Sequence, residues 1–327
     1  MSFKNVIGQK AAVRILQDEI STNRIHHSYL FLGKEGVGKK TLAVELAKAL
    51  NCKSTTADNC EDCLPCKKIN HGNHPDVRVV EIEEGKAIKI EQIRSLQKDI
   101  AYKPYESKHK VYIIDQAEQM TPQAANSLLK TLEEPPEYVV LILLAEEIDK
   151  LLPTVISRCQ QIYLNSISKQ LIIEQLNDKG INSEKVELIA RLADGSLGRA
   201  LNLAENEDFL KNRDNILKTL YNLPRLKTVK VFKAADKFEK LLKQEFPLFD
   251  LILNWYRDII LYNQGNTKQL VNCDYKDYIK KINNNYTVEE LILIIELINN
   301  IKRYIAKNAR KDLALQVMLF KIRAKRV

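Results

Sequence analysis

The sequence predicts an α/β domain built on a parallel sheet with helices on both faces, followed by a small helical domain and then a larger all-α domain. Three observations carry that expectation. Over residues 1–165, short apolar runs alternate with amphipathic segments, as when strands buried on both faces lie between covering helices. Gly33-Lys34-Glu35-Gly36-Val37-Gly38-Lys39 joins an apolar run to a helical pattern, which is the context of a phosphate-binding loop. Beyond Ser166 the strand candidates stop and only helical periodicity continues.

The elements follow in order. A helix is expected from Ala11 to Asn23, a strand from Tyr29 to Leu32, and a helix from Lys39 to Leu50 opened by the glycine loop. Further strands are expected at Val77 to Ile82, Val111 to Asp115, Val139 to Leu144 and Gln161 to Leu164. Helices Ile90 to Ala101 and Pro122 to Glu133 lie between them, the second stopped by Pro135-Pro136. In residues 166–207, short helices at Lys169 to Leu176, Ser183 to Ala193 and Ser196 to Glu205, punctuated by Gly180 and Gly195, read as a lid. Residues 208–327 read as a third, wholly helical domain with long amphipathic stretches at Glu245 to Tyr262, Val288 to Lys307 and Ala309 to Lys325. Leu291, Ile294, Ile295 and Ile298 share one helical face there. There is no repeat at a solenoid period.

A chain of 327 residues that is 45% hydrophobic and 28% charged is ordinary globular protein with room for two or three cores. It has no run of about 18 apolar residues, and Met1-Ser2-Phe3-Lys4-Asn5 lacks a signal-peptide core. The expectation is a cytoplasmic protein without membrane contact, whose six cysteines are thiols or metal ligands rather than disulfides. The net charge of +9 is uneven: residues 209–327 carry 24 Lys/Arg against 12 Asp/Glu, while residues 1–208 carry 27 against 30. That basic excess suits nucleic acid or an acidic partner, and equally suits solvated lysine-rich helix faces.

Cys52, Cys60, Cys63 and Cys66 have the spacing C-x7-C-x2-C-x2-C, between the loop helix and the second strand. Two-residue gaps let thiolates converge on one tetrahedral ion, and structural Zn²⁺ is the expected occupant of a module at 52–66. Free or redox-active thiols are the alternative. Catalytic zinc is disfavoured because four sulfurs leave no open position. His71 and His74 follow closely and are weaker ligand candidates, while Cys159 and Cys273, without partners at metal spacing, read as packing residues.

Gly33, Gly36, Gly38 and Lys39, with Thr41 and Asp115, form a candidate nucleotide site for ATP or ADP, and that site has two defects. After Lys39, where a hydroxyl should hold Mg²⁺, stands Lys40, with Thr41 one residue late. After Asp115, at the end of a buried strand, stands Gln116 where a hydrolysing site carries glutamate. A glutamine cannot accept a proton from water, so general-base help of roughly 10²- to 10⁴-fold is missing. Glu118 is not an obvious substitute. The loop is read either as vestigial, kept for its strand-to-helix turn with Lys39 solvated or paired to Asp115, or as binding nucleotide without hydrolysis.

His26-His27-Ser28-Tyr29-Leu30-Phe31, the four-cysteine module and Asn73-His74-Pro75-Asp76 form a specific combination with two later motifs. These are Asn126-Ser127-Leu128-Leu129-Lys130-Thr131-Leu132-Glu133-Glu134-Pro135-Pro136 and Ile156-Ser157-Arg158-Cys159. Together they resemble the delta-prime family of bacterial DNA polymerase III clamp-loader subunits, of the AAA+ class. The matches span residues 26–159, and the layout extends the likeness more loosely to the C-terminal third. The resemblance implies ATP sites between neighbouring subunits and makes Arg158 an arginine finger for an adjacent ATPase subunit. Such fingers are worth about 10³- to 10⁵-fold in rate. Without that context, Arg158 reads as a surface ion pair.

Two more departures from hydrolysing members follow from the resemblance. Ala145-Glu146-Glu147 stands where a polar γ-phosphate sensor is usual. In Gly195-Ser196-Leu197-Gly198-Arg199 a glycine takes the place of a second sensor arginine, leaving Arg199 about 100° around the helix. The resemblance thus implies a stator subunit, held by a helical collar in a hetero-oligomeric ring with ATPase subunits and a delta subunit. It would reach the sliding clamp and primed DNA through that complex. Leu128 to Pro136 lies where such subunits approach DNA or a neighbour, with Lys130 either a phosphate contact or an exposed helix lysine. The main alternative is an active DNA-dependent AAA+ ATPase, the motor subunit of the same loader. A zinc-containing DNA-binding regulator is weaker, since neither a helix-turn-helix nor a second metal motif is visible.

Overall fold

A computed structural model describes residues 3–54, 58–83, 85, 87–181, 183–244 and 246–324. The first part alternates as expected: α1 (Lys10–Ser21), β1 (Ser28–Leu32), α2 (Lys39–Asn51), α3 (Leu64–Asn70), β2 (Val77–Val80), α4 (Ile90–Ile100), β3 (Lys110–Ile114), α5 (Pro122–Glu133), β4 (Val139–Ala145), α6 (Pro153–Ile156) and β5 (Gln160–Tyr163). The strands form one five-stranded parallel sheet in the order β2-β3-β4-β1-β5, with Ser28 opposite Leu141 and Tyr29 opposite Gln160. All C-terminal strand ends therefore share one edge, where ligands bind in open parallel sheets.

Strand alternation builds two cores. Tyr29, Phe31, Val111, Ile113, Val140 and Ile142 point to the face covered by α1 and α2. Leu30, Leu32, Tyr112, Ile114, Leu141 and Leu143 point to the face covered by α4 and α5. The central strands β1, β3 and β4 are buried throughout, whereas β2, an edge strand paired only to β3, is half exposed and ends at Val80 rather than Ile82. The short helices α3 and α6 were not anticipated. At seven and four residues they are too brief for periodicity, though each starts on a proline turn, at Pro65 and Pro153. The Asn73–Asp76 motif is structural: Asp76 accepts the backbone N–H groups of Tyr105, Glu106 and Ser107 at 2.7, 2.9 and 3.0 Å and so fastens the loop leading into β3.

The remaining helices are α7 (Lys169–Asp178), α8 (Ser183–Leu192), α9 (Leu197–Glu205), α10 (Glu207–Asn222), α11 (Thr228–Lys243), α12 (Leu248–Asn263), α13 (Lys276–Ile282), α14 (Val288–Ala306) and α15 (Lys311–Ala324). Contacts divide the chain into two compact units. One runs up to Gln175 and takes in Ala193–Leu201; the other holds Leu176–Leu192 and everything from Asn202 onward, so the 166–207 segment contributes to both. Among the described residues the second unit has helices and no strands, and no helix is long and apolar enough to cross a membrane. The expected helix start at Glu245 and helix end at Lys325 lie outside the described residues.

In the second unit α11 packs on α15 and α12 on α14. The fully buried Trp255 and Tyr256 sit among this unit's apolar side chains, which include Leu291, Ile294 and Ile298; Ile295 is half buried. Arg213, buried, holds Asp274 through two bonds of 2.7 Å and Asn272 at 2.6 Å, while buried Asp258 accepts the Val271 and Asn272 N–H groups.

One buried ion network ties α2 to the cysteine segment. Lys48 bonds Glu45 at 2.8 Å and Glu61 at 2.7 Å, and Asn59 bonds Glu45 at 2.7 Å, with the Lys48 side chain 1% and the Glu45 side chain 4% exposed. Burial opposes the Lys48 charge, but the bonds from Glu45 and Glu61 outweigh it and raise its pKa. Lys48→Met should therefore lower unfolding free energy by about 3–5 kcal/mol in urea melts, because Glu45 is left charged and buried. Adding Glu45→Gln should recover part of that loss.

Candidate functional site

Gly33 leaves the end of β1 with its N–H on the Ala145 carbonyl at 3.2 Å, and Gly38, with φ of 104°, caps α2. The loop between them is closely packed. A Cβ on Gly33 would stand 2.6 Å from the Leu164 carbonyl oxygen, and one on Gly36 would stand 2.3 Å from Ser196 Oγ. The segment entering α9 lies directly on the loop: Gly198 N–H donates to the Gly36 carbonyl at 2.9 Å, and Lys34 pairs with Asp194 at 2.8 Å. Ser196 Oγ caps α9 by accepting the Arg199 N–H at 3.1 Å.

The two adjacent lysines turn to different partners. Lys39 Nζ folds back onto the loop's own carbonyls at Gly33 and, at 3.0 Å, Lys34, with Glu146 at 3.8 Å. Burial lowers the Lys39 pKa against the pull of Glu146, and burial raises the Glu146 carboxyl. Lys39 is thus neither solvated nor paired to Asp115. That acid is met instead by Lys40, whose ammonium bonds Glu81 and lies 3.8 Å from Asp115. A fixed monovalent cation therefore stands beside the acid that would organise a divalent one. Thr41 is exposed on the first turn of α2. Gln116 is exposed at φ 53°, and Glu118 accepts the Glu146 N–H at 3.2 Å through one carboxylate oxygen.

Arg158 follows α6 and precedes β5. Its guanidinium donates to the Thr154 carbonyl at 2.9 Å and pairs with Glu133, at the end of α5, at 2.6 Å. Because β1 and β5 are parallel and in register from Tyr29 and Gln160, Arg158 sits at the sheet edge where strands begin, while Gly33 sits where they end. At about 3.3 Å per residue the length of β1 separates these edges by about 15 Å. Lys130 is an exposed helix lysine on α5.

The sulfur atoms of Cys52, Cys60, Cys63 and Cys66 all lie within 4.8 Å of one another, Cys52 and Cys63 at 4.0 Å. Four thiolates on one tetrahedral Zn²⁺ at about 2.3 Å stand about 3.8 Å apart, so the cluster needs only a small contraction to hold a metal ion. Backbone N–H groups already point at the sulfurs, Cys63 N–H to Cys60 at 3.3 Å and Ser54 N–H to Cys52 at 3.5 Å. His71 and His74 stay out of it: His71 Nδ1 meets the Lys67 carbonyl, and buried His74 meets the Asp76 N–H and Ser107 hydroxyl. Cys159 packs against the α4–α5 core, where burial pushes its thiol up to about 12.

Sequence reasoning missed Glu81, the partner of Lys40, and Ser196, the residue seated on Gly36. Glu81 lay inside an expected strand; as the residue after the true end of β2 it falls on the ligand-binding edge. Ser196 carries no local signal, because its contact is made across 160 residues.

Comparison with known proteins supplies the family. Residues 8–168 match the family described as DNA polymerase III, delta subunit, and residues 207–323 match DNA polymerase III, delta subunit, C terminal. DNA polymerase III subunit delta' of Bacillus subtilis is 35% identical over 277 residues, 84% of this chain and 83% of that one. A subunit gamma of Buchnera aphidicola is 32% identical over 98% of this chain and 95% of its own length, and the Escherichia coli subunit tau is 39% identical over 62% of this chain and 32% of its length. With these matches beside the cysteine module, the altered phosphate loop and the parallel sheet, the chain belongs to the delta-prime family of DNA polymerase III clamp-loader subunits.

Proposed function

We propose that this chain is the non-hydrolysing stator of its clamp loader, with a vestigial nucleotide site of its own and an arginine that serves a neighbour. The observation that carries this reading is the Lys40 ammonium set between Glu81 and Asp115. Gln116 adds the loss of a general base. Gly33, Gly36, Gly38, Lys39, Thr41 and Asp115 would then be the remains of an ATP or ADP site, with the loop kept for its turn and for the segment packed on Gly36.

Arg158 stands at the opposite sheet edge from its own phosphate loop, so the site it could serve belongs to another subunit. Exchanging Glu133 for a γ-phosphate would keep its guanidinium paired, and a planar cation of this kind stabilises charge developing in phosphoryl transfer. In the three-part layout of residues 1–165, 166–207 and 208–327, the last part would form the collar of a hetero-oligomeric ring with ATPase subunits and a delta subunit. Val229 and Phe232 on α11 and Leu313 and Val317 on α15, all exposed on helices that pack together, suit such an interface. Sliding clamp and primed DNA would be reached through the complex, in the cytoplasm. The four cysteines would hold structural Zn²⁺, which contributes a cross-link and no chemistry.

The rival reading, a motor ATPase, draws on the gamma- and tau-named relatives and on the complete glycine set. ATP turnover by the purified chain, with and without primed DNA, separates the two: the stator gives none, and turnover that rises with DNA would overturn the proposal. Arg158→Ala should leave ring assembly intact while lowering the assembled loader's ATPase by about 10³-fold or more at the site it serves. Unchanged activity would remove the finger. Cys63→Ser should lose one equivalent of zinc by elemental analysis and lower the melting temperature; normal zinc content would rule out the proposed ligand set.

A further inference from the structure

The second unit carries a groove of about 800 Å³ between α10 and α11 that the stator reading does not use. Among the described residues, six basic side chains line it and no acid does. Lys230, Lys233, Lys237 and Lys240 lie along one side of α11, at spacings of three, four and three residues, and Arg225 lies at the turn before it. All five are exposed, and among the described residues none makes an ion pair or side-chain hydrogen bond; the sixth, Lys218, is paired with Asp214. The acids of α11 are Asp236, within a turn of Lys233 and Lys240, and Glu239, which pairs with Lys243; neither lines the groove.

Unpaired like charges held side by side repel one another, so an anion that bridges them relieves a cost built into the fold. From Lys230 to Lys240 the helix rises about 15 Å. At one phosphate per 3.4 Å along each strand, that length faces about four phosphates of duplex DNA. The other polar lining is asparagine and threonine from α10; the Thr219 hydroxyl donates to the Asn215 carbonyl at 2.8 Å, and the asparagine amides are neutral groups that bond phosphate oxygens without reading sequence. Phe238, the aromatic ring of the lining, is 3% exposed, so unstacked bases find nothing to stack on, which disfavours a single strand. Lysine ammoniums meet phosphate oxygens as point charges, with no fixed pairing geometry that would select one register along the backbone.

We propose that the α10–α11 groove binds the phosphodiester backbone of duplex DNA without sequence preference. The site is independent of the Arg158 reading and would stand or fall without it.

The test is fluorescence anisotropy of a labelled blunt DNA duplex with the full chain over a range of salt concentrations. Lys233→Glu/Lys237→Glu is compared with Lys276→Glu/Lys280→Glu, which makes the same change in net charge on α13, outside the groove. The groove pair should weaken binding by about tenfold or more relative to the control pair and make the log K against log salt slope shallower by about two. Equal losses in the two pairs would overturn the groove. So would a single strand binding as tightly as the duplex, or polyglutamate displacing the duplex at equal charge concentration. If the glutamate pair melts early, Lys233→Gln/Lys237→Gln carries the same comparison against Lys276→Gln/Lys280→Gln.

Discussion

Gly33 and Gly36 bring the backbone of the β1–α2 turn into contact with two other parts of the chain. On Gly33 a side chain would strike the Leu164 carbonyl where β5 ends, and on Gly36 it would strike Ser196 at the start of α9. These approaches fix how the sheet's ligand edge is built, because the exit of β5, the start of α2 and the Asp194–Arg199 segment are all placed against one stretch of bare backbone. The close packing calls for glycines in this loop even though Lys40, and not a hydroxyl, follows Lys39. Glycine is required there by crowding and by positive φ at Gly36 and Gly38, whether or not phosphate ever arrives.

Electrostatics at that edge follow from one substitution in the loop helix. A hydroxyl after Lys39 would be a neutral ligand waiting for an ion, whereas Lys40 brings its own charge on a flexible stem and delivers it to Glu81 and Asp115. Lys39, left without that acid, turns inward to the loop carbonyls and Glu146. The lysine that would bind phosphate and the acid that would bind metal are thus both partnered from within the chain, and a nucleotide would have to displace both sets of bonds.

The polarity of a parallel sheet bears on Arg158 in the same way. Every strand runs from one edge to the other, so a residue just before β5 and a loop just after β1 are held a strand's length apart however the side chains turn. Glu133 keeps the guanidinium paired at its own edge. Arg158 is thereby held away from the phosphate loop of its own chain.

Much of this was legible in the chain. Central strands appeared as continuous apolar runs because both faces are buried, α5 was bounded by Pro122 and Pro135-Pro136, and four cysteines within fifteen residues announced a cluster. These signals are local: they depend on periodicity, on backbone restriction or on spacing short enough for the chain itself to enforce proximity. What the sequence by itself determined was the fold class, the family, and which groups the phosphate loop lacks. Only the tertiary structure decided what stands in their place. Lys40 meets Glu81 across 41 residues, Gly36 meets Gly198 across 162, and Arg158 faces Glu133 at the far edge of the sheet. Such pairs depend on strand order and helix docking, and these arise from the packing of the whole core rather than from any stretch of neighbouring residues.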